Sequence, residues 1–195
     1  MNPRRNTLVL AGGGKRFTLK NGLSISKLEF DVLGIRLIDR VLSSFKGDFT
    51  RLIISEEELL EFSSQQELKI CKVGSTNGAL ITAILGLNEC DLSLPLVICP
   101  GDSLLKDGKL QEFIAESEVS DSDISLVVFS SDKPNYSYIR TVNDVLVEVC
   151  EKKVISSVAT AGVFYFKSAQ LFLECAEWAI MNNVSTNNTF FIAPS

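Results

Sequence analysis

Apolar positions along the 195-residue chain gather into short runs separated by polar loops, and the runs are of two kinds. Continuous apolar runs of four to six residues, bounded by turn formers, predict strands buried on both faces. They fall at Leu8–Ala11 and Pro95–Cys99, and Arg51–Ser55, Leu68–Val73 and Ile124–Phe129 are read as further strands. Between them apolar residues recur at helical spacing. Ile35, Leu37, Ile38, Val41, Leu42 and Phe45 predict a helix ended by Gly47, and Glu56 to Phe62 predicts a short acidic one. Ala79 to Leu85 is apolar nearly all round and predicts a buried helix, and Gly108 to Ser117 predicts an amphipathic one. Thr18 to Ser26 is polar and is expected to form an irregular flap, and the alternation from Lys27 to Val32 predicts an extended segment.

Strands alternating with helices from Thr7 to Phe129 predict an α/β sheet with mostly parallel strands. After Phe129 the pattern changes. Tyr136–Arg140 and Val145–Val149 flank Asn143-Asp144 and predict a hairpin, and Gly162–Phe166 predicts a further strand. Ala169 to Met181 predicts a helix with Leu171, Phe172, Cys175, Trp178 and Ala179 on its inner face. A polar asparagine loop leads to the apolar end Phe190-Phe191-Ile192-Ala193, which suggests a single domain over residues 1–195 whose natural chain continues.

Composition narrows the function. The net charge of −5 with 46% hydrophobic residues argues for a folded domain and against a nucleic-acid binder, which would show a basic face. No apolar run reaches membrane-spanning length and no signal peptide is visible, so no membrane partner is expected. The five cysteines are scattered without zinc or redox spacing, which predicts buried free thiols and a cytoplasmic setting. There is no histidine, so any chemistry falls to carboxylates, Lys, Arg, backbone amides or an oxygen-held metal.

Three polar features sit where such a sheet binds ligands, beyond the carboxyl ends of its strands. The first is Ala11-Gly12-Gly13-Gly14-Lys15-Arg16, a strand followed at once by three glycines and two cations. Glycines let a concave row of N–H groups approach phosphate oxygens. The spacing matches neither the P-loop, which needs Ser or Thr after its Lys, nor the dinucleotide fingerprint, whose third glycine position is Phe17. A tight turn with exposed cations would carry the same letters. The second feature is Thr76-Asn77-Gly78-Ala79, a small polar loop at a helix start. The third is Asp102, which follows a buried strand and a glycine. A turn or N-cap role is one reading of it. Holding Mg²⁺ together with substrate phosphates is the other. Together these features point to phosphoryl or nucleotidyl transfer, and an ionised phosphate nucleophile needs no general base.

At these residues the chain resembles the sugar-1-phosphate nucleotidyltransferases. Ala11–Phe17 is similar to the family's Ala-Gly-x-Gly-x-Arg-Phe signature, and Lys27–Gly34 to its lysine motif, though Ser26 and Leu28 stand where that motif has prolines. Thr76–Ala79 resembles the base-recognition loop, Gly101-Asp102 the metal aspartate, Glu151-Lys152 the acceptor-binding pair, and Ala161–Phe166 the Gly-x-Tyr-x-Phe strand. The resemblance implies a three-layer α/β/α Rossmann-like (GT-A-like) nucleotidyltransferase fold with a mixed, mostly parallel central sheet. It implies Arg16, Lys27 and Asp102 as catalytic residues, with Mg²⁺ on Asp102. Ala11, Gly12, Gly13, Gly14, Lys15, Thr76, Gly78, Ala79, Glu151 and Lys152 would be binding residues. The implied partners are a nucleoside triphosphate and a sugar-1-phosphate, in a cytoplasmic pathway of nucleotide-sugar and polysaccharide synthesis, and a homo-oligomer is compatible with this. No match for the family's second metal aspartate is found. A cytidylyltransferase acting on a non-sugar phosphate and a non-catalytic nucleotide-binding module of the same fold are the alternatives. A metal-dependent glycosyltransferase would want Asp121-Ser122-Asp123 at the end of a strand, whereas it precedes one.

Overall fold

The computed structural model describes residues 5–13, 16–20, 22–45, 49–56, 68–143 and 145–194. Gly14, Lys15, Gly47, Asp144 and the acidic helix expected from Glu56 to Phe62 lie, wholly or nearly so, outside the described residues.

The chain opens with β1 (Asn6–Ala11). Two small antiparallel hairpins follow, β2 (Arg16–Thr18) with β3 (Ser24–Ser26), and β4 (Asp31–Val32) with β5 (Ile35–Arg36). Helix α1 (Leu37–Ser43) leads to β6 (Phe49–Ser55) and β7 (Leu68–Val73). Next come α2 (Ala79–Gly86), β8 (Leu96–Pro100), α3 (Lys109–Val119) and β9 (Ile124–Ser130). The hairpin β10 (Ser137–Val142) and β11 (Val145–Glu151), strand β12 (Val158–Phe166) and α4 (Ala169–Met181) complete the elements.

The main sheet runs in the order β11-β10-β12-β8-β1-β6-β7, with β9 also paired to β12. Strands β7, β6, β1 and β8 are mutually parallel. Strand β12 is antiparallel to β8, β9 and β10, so β9 and β10 run with the parallel set and only β12 and β11 run against it. This is the mixed, mostly parallel sheet expected.

Apolar alternation within the runs builds both faces. Leu8, Ile53, Ile98, Phe164 and Phe166 pack on one side with Leu80 and Ala83 of α2 and Phe172, Ala176 and Ala179 of α4. Val9, Leu52, Ile54, Val97, Val163 and Tyr165 pack on the other with Ile38, Val41 and Leu42 of α1 and Leu110 and Ile114 of α3. A strand apolar at every position therefore serves two helical layers, because successive side chains leave opposite faces. Cys99 lies in the second layer, and burial pushes its thiol up to about 12. Cys71, Cys90, Cys150 and Cys175 are free but only half-buried, which corrects the expectation of fully buried thiols.

Other expectations are also corrected. The Thr18–Ser26 flap is a regular hairpin, with Arg16 opposite Ser26 and Thr18 opposite Ser24. The extended segment at Lys27 is a 3₁₀ turn over Lys27–Glu29, because Ser26 and Glu29 form a reciprocal capping box. Helix α1 is shorter than its apolar spacing, since Ile35–Arg36 pairs with Asp31–Val32. Helix α2 is buried on one side only, and Leu85 is half exposed. Helix α4 turns Ala176 and Ala179 inward beside Phe172, leaving Trp178 58% exposed, because the small residues permit close contact with the layer that α2 shares. Among the described residues no helix is long and apolar enough to cross a membrane.

Candidate active site

A cleft of about 1030 Å³ opens at the carboxyl ends of β1 and β8. Its floor exists because β12 changes partners. β9 occupies one edge of β12, so β8 (at Phe164–Phe166) and β10 (at Ala159) must share the other. The register slips between Thr160 and Phe164, where Gly162 takes φ +75° and a Cβ would lie 2.8 Å from Pro100 Cγ. That bulge lays Thr160, Ala161 and Gly162 open to the cleft.

On one wall stands the end of β1. Gly12 and Gly13 line the cleft. A Cβ on Gly12 would meet Thr82 and Val73 methyls at ordinary contact distance, and one on Gly13 would meet nothing within 4 Å. Neither has a positive φ. Internal packing and backbone strain therefore do not demand glycine here. Close approach of a ligand to the peptide plane does give a reason for it. Ala11 sits behind the loop, where a Cβ on Gly101 would come 3.0 Å from its own, and Gly101 N–H donates to Leu10 O at 2.8 Å. These contacts lock the Asp102 turn onto the end of β1.

Asp102 faces Lys27 across the mouth. Its Oδ2 is ion-paired with Lys27 Nζ, with side chains 30% and 40% exposed respectively. Ser103 Oγ donates to Ala161 O at 3.3 Å and braces the same turn on the bulge. Lys27 is aimed by the capping box: Leu28 N–H donates to Ser26 Oγ at 3.3 Å and Ser26 N–H to Glu29 Oε2 at 3.0 Å. Ser26→Ala removes one arm of that box. It is expected to lower stability by about 1 kcal/mol, read by urea unfolding. A variant that unfolds at the same urea concentration as the wild type would show that the box does not hold this turn.

The third wall is the loop before α2. Thr76, Gly78, Ala79 and Thr82 line the cleft. The Thr76 and Thr82 hydroxyls lie 2.6 Å apart, and Thr82 Oγ1 donates to Gly78 O at 3.0 Å. The start of α2 is not wholly open to a ligand: Leu80 N–H donates to Phe190 O at 3.2 Å, and Phe190 N–H to Asn77 O at 2.8 Å. At the far end Glu151 lines the cleft with only 5% of its side chain exposed, and Ser137 Oγ donates to its Oε2.

The structure thus brings Gly12, Gly13, Lys27, Thr76, Gly78, Ala79, Asp102 and Glu151 to one cleft. It does not bring Arg16 there: that guanidinium lies along its hairpin, with Nη2 donating to Ser24 O at 3.0 Å. Lys152 stands at the rim, 4.0 Å from Glu151, and Ala11 supports from behind. Gly14 and Lys15 lie outside the described residues. Sequence reasoning missed Lys106, the edge-to-face pair Phe129–Tyr136 (centroids 5.0 Å apart) and the tail residues Phe191, Ile192 and Ala193, all on the cleft wall. Only the apolar tail had a visible signal. Asp123 lies at the opposite end of β9 beside Lys167, far from the cleft residues Val127–Phe129, so the Asp121–Asp123 triplet has no place in the site.

Among solved structures the chain is similar to a nucleoside-diphosphate-sugar pyrophosphorylase from Vibrio cholerae RC9 (TM-score 0.72, 18% identity, 97% of this chain and 84% of that one). It is similar to a Bacillus anthracis protein assigned as a glucose-1-phosphate thymidylyltransferase (0.75, 17%, 89% and 74%). It is also similar to the inositol-1-phosphate CTP transferase from T. maritima (0.63, 19%, 88% and 74%). No family model and no curated protein matches the chain by sequence. The chain has the Rossmann-like fold that these nucleotidyltransferases share.

Proposed function

We propose that this chain is a nucleotidyltransferase that moves a nucleoside monophosphate from a nucleoside triphosphate to a phosphorylated small molecule, a sugar-1-phosphate foremost, and releases pyrophosphate. The observation that carries this reading is the convergence of Lys27 and Asp102 on a cleft where Gly12 and Gly13 have no packing reason to be glycine.

The acceptor's phosphate oxygen attacks the α-phosphorus. One P–O bond forms, the bond from the α-phosphorus to the bridging oxygen breaks, and pyrophosphate leaves. The nucleophile is already ionised at neutral pH, which suits a chain without histidine. Gly12 and Gly13 amides cradle the triphosphate. Lys27 neutralises charge on the α-phosphate, and Glu151 and Lys152 hold the acceptor. Thr76, Gly78 and Ala79 meet the base.

Among the described residues no group of three or more His, Cys, Asp or Glu could cage a metal. One part-exposed carboxylate suits Mg²⁺, which is held by one or two carboxylates plus substrate phosphates, so Asp102 fits. When bound there the ion would neutralise phosphate charge. The Lys27–Asp102 pair would then act as a latch, keeping two opposite charges compensated until the triphosphate arrives.

A non-sugar acceptor is the second reading. It is supported by the apolar stretch Val127, Val128 and Phe129 on the cleft wall.

The test is thermal unfolding with each of the four common nucleoside triphosphates, with and without Mg²⁺. A triphosphate at a hundred times its Kd adds about 2.7 kcal/mol, roughly 5–11 °C in a chain of this length. Stabilisation by one triphosphate that requires Mg²⁺ would name the base. No stabilisation by any of them would end the reading.

A further inference from the structure

The tail after α4 does more than fill a surface groove. Thr186 and Thr189 bridge around Asn187 and Asn188, both left-handed at φ 51° and 57°, so the chain reverses tightly before Phe190. Phe190 then docks its backbone on the loop before α2. Phe190, Ile192 and Ala193 pack with the core layer of Leu80 and Ala83.

Phe191 is different. Among the described residues it belongs to neither core layer, although its neighbours do. Its ring lines the cleft, and Lys152 Nζ stands 4.5 Å from the ring centroid. Lys152 is itself held in an unusual backbone state, φ +55°, directly after the buried Glu151. Three features therefore bear on where its ammonium sits, with half of the side chain exposed. The left-handed backbone sets the root, the Glu151 carboxylate lies at 4.0 Å, and the Phe191 ring presents its negative face. An aromatic face holds a cation without neutralising it, so the N–H groups turned away from the ring stay available to a phosphate.

We propose that Phe191 is a positioning residue, whose ring face sets the Lys152 ammonium at the cleft rim where the acceptor's phosphate binds. This rests on the reading of the cleft as a nucleotidyltransferase site. It adds a residue that none of the motifs contains. It also makes the tail a strap that fixes the nucleotide loop through Phe190 and the acceptor cation through Phe191.

The test uses the full chain labelled with ¹³C at the lysine ε-carbons, which leaves every ammonium unmodified. The Lys152 signal is assigned by its loss in Lys152→Arg. Inorganic phosphate and α-D-glucose 1-phosphate are the titrants. In the wild type the Lys152 signal is expected upfield, from the ring current, and to move on titration. Phe191→Leu should abolish the upfield shift and weaken phosphate binding roughly threefold to fivefold. Phe191→Tyr should restore both. Because Phe191 lies outside the core layers, Phe191→Leu is expected to fold. Phe191→Met, which keeps bulk without a π face, replaces it if it does not. An unchanged phosphate midpoint in the leucine or methionine variant overturns the proposal. So does a wild-type Lys152 signal that ignores both titrants. If triphosphate stabilisation is also absent in the wild type, the functional reading itself has failed, and that outcome is separate from the first two.

Discussion

Asp102→Asn is expected to lower Mg²⁺-dependent pyrophosphate release by about 10²–10³-fold, the usual loss when one preorganised electrostatic group is removed from a transfer site. Asparagine keeps the shape of the turn and can still accept a hydrogen bond. It cannot supply the charge that pairs with Lys27 and that we propose holds Mg²⁺. Lys27→Met should give a loss of similar size, by leaving the α-phosphate charge uncompensated. The two side chains touch, so the double variant should lose far less than the product of the single effects. Folding stability should hardly move, because a part-exposed ion pair contributes about 0–1 kcal/mol at most. Pyrophosphate release by the full chain, with the triphosphate that stabilises it and α-D-glucose 1-phosphate as the first acceptor tried, checks this alongside the melting temperature. An Asp102→Asn variant that keeps more than a third of wild-type turnover would remove Asp102 from the chemistry.

Gly78→Ala should produce the largest loss of stability of any glycine-to-alanine change among the described residues. Gly78 caps α2 at φ +113°, where an L side chain is strained. A Cβ there would collide with the Phe190 carbonyl oxygen and lie 2.7 Å from Thr189 Cγ2 and 2.9 Å from Phe190 N. Backbone atoms cannot swing aside as a flexible side chain can, so the tail would have to lift. Strain and steric displacement together cost about 3 kcal/mol, or roughly 6–12 °C in melting temperature. Lifting the tail also frees Leu80 N–H and moves Phe191 away from Lys152, so phosphate affinity at Lys152 should fall with stability. Gly13→Ala is the natural contrast. Its Cβ meets nothing within 4 Å, so stability should be kept while triphosphate stabilisation is lost. Thermal melts of the two variants, with and without Mg²⁺-triphosphate, separate packing from binding. A Gly78→Ala variant that melts with the wild type would show that the tail does not grip the loop.

The sequence by itself determined what is set locally. Continuous apolar runs at Leu8–Ala11 and Leu96–Cys99 marked strands buried on both faces, since each peptide's side chains alternate whatever lies beyond. The asparagines before Phe190, the glycines after β1 and the aspartate after β8 were legible for the same reason: turn chemistry depends on a few neighbours. One local signal was present but outweighed. Ser26 and Glu29 have the spacing of a capping box, yet alternation at Lys27–Val32 favoured an extended reading, and the structure follows the cap.

Only the tertiary structure decided what meets across the fold. The Lys27–Asp102 pair, the bulge at Gly162 that opens the cleft floor, and the inward turn of Ala179 in place of Trp178 depend on which strands became neighbours. The same holds for the tail, whose apolar letters could have been core, interface or the start of another helix. Phe190 and Ile192 face the core while Phe191 faces Lys152 because the backbone docks on the loop before α2, and no local pattern encodes that docking.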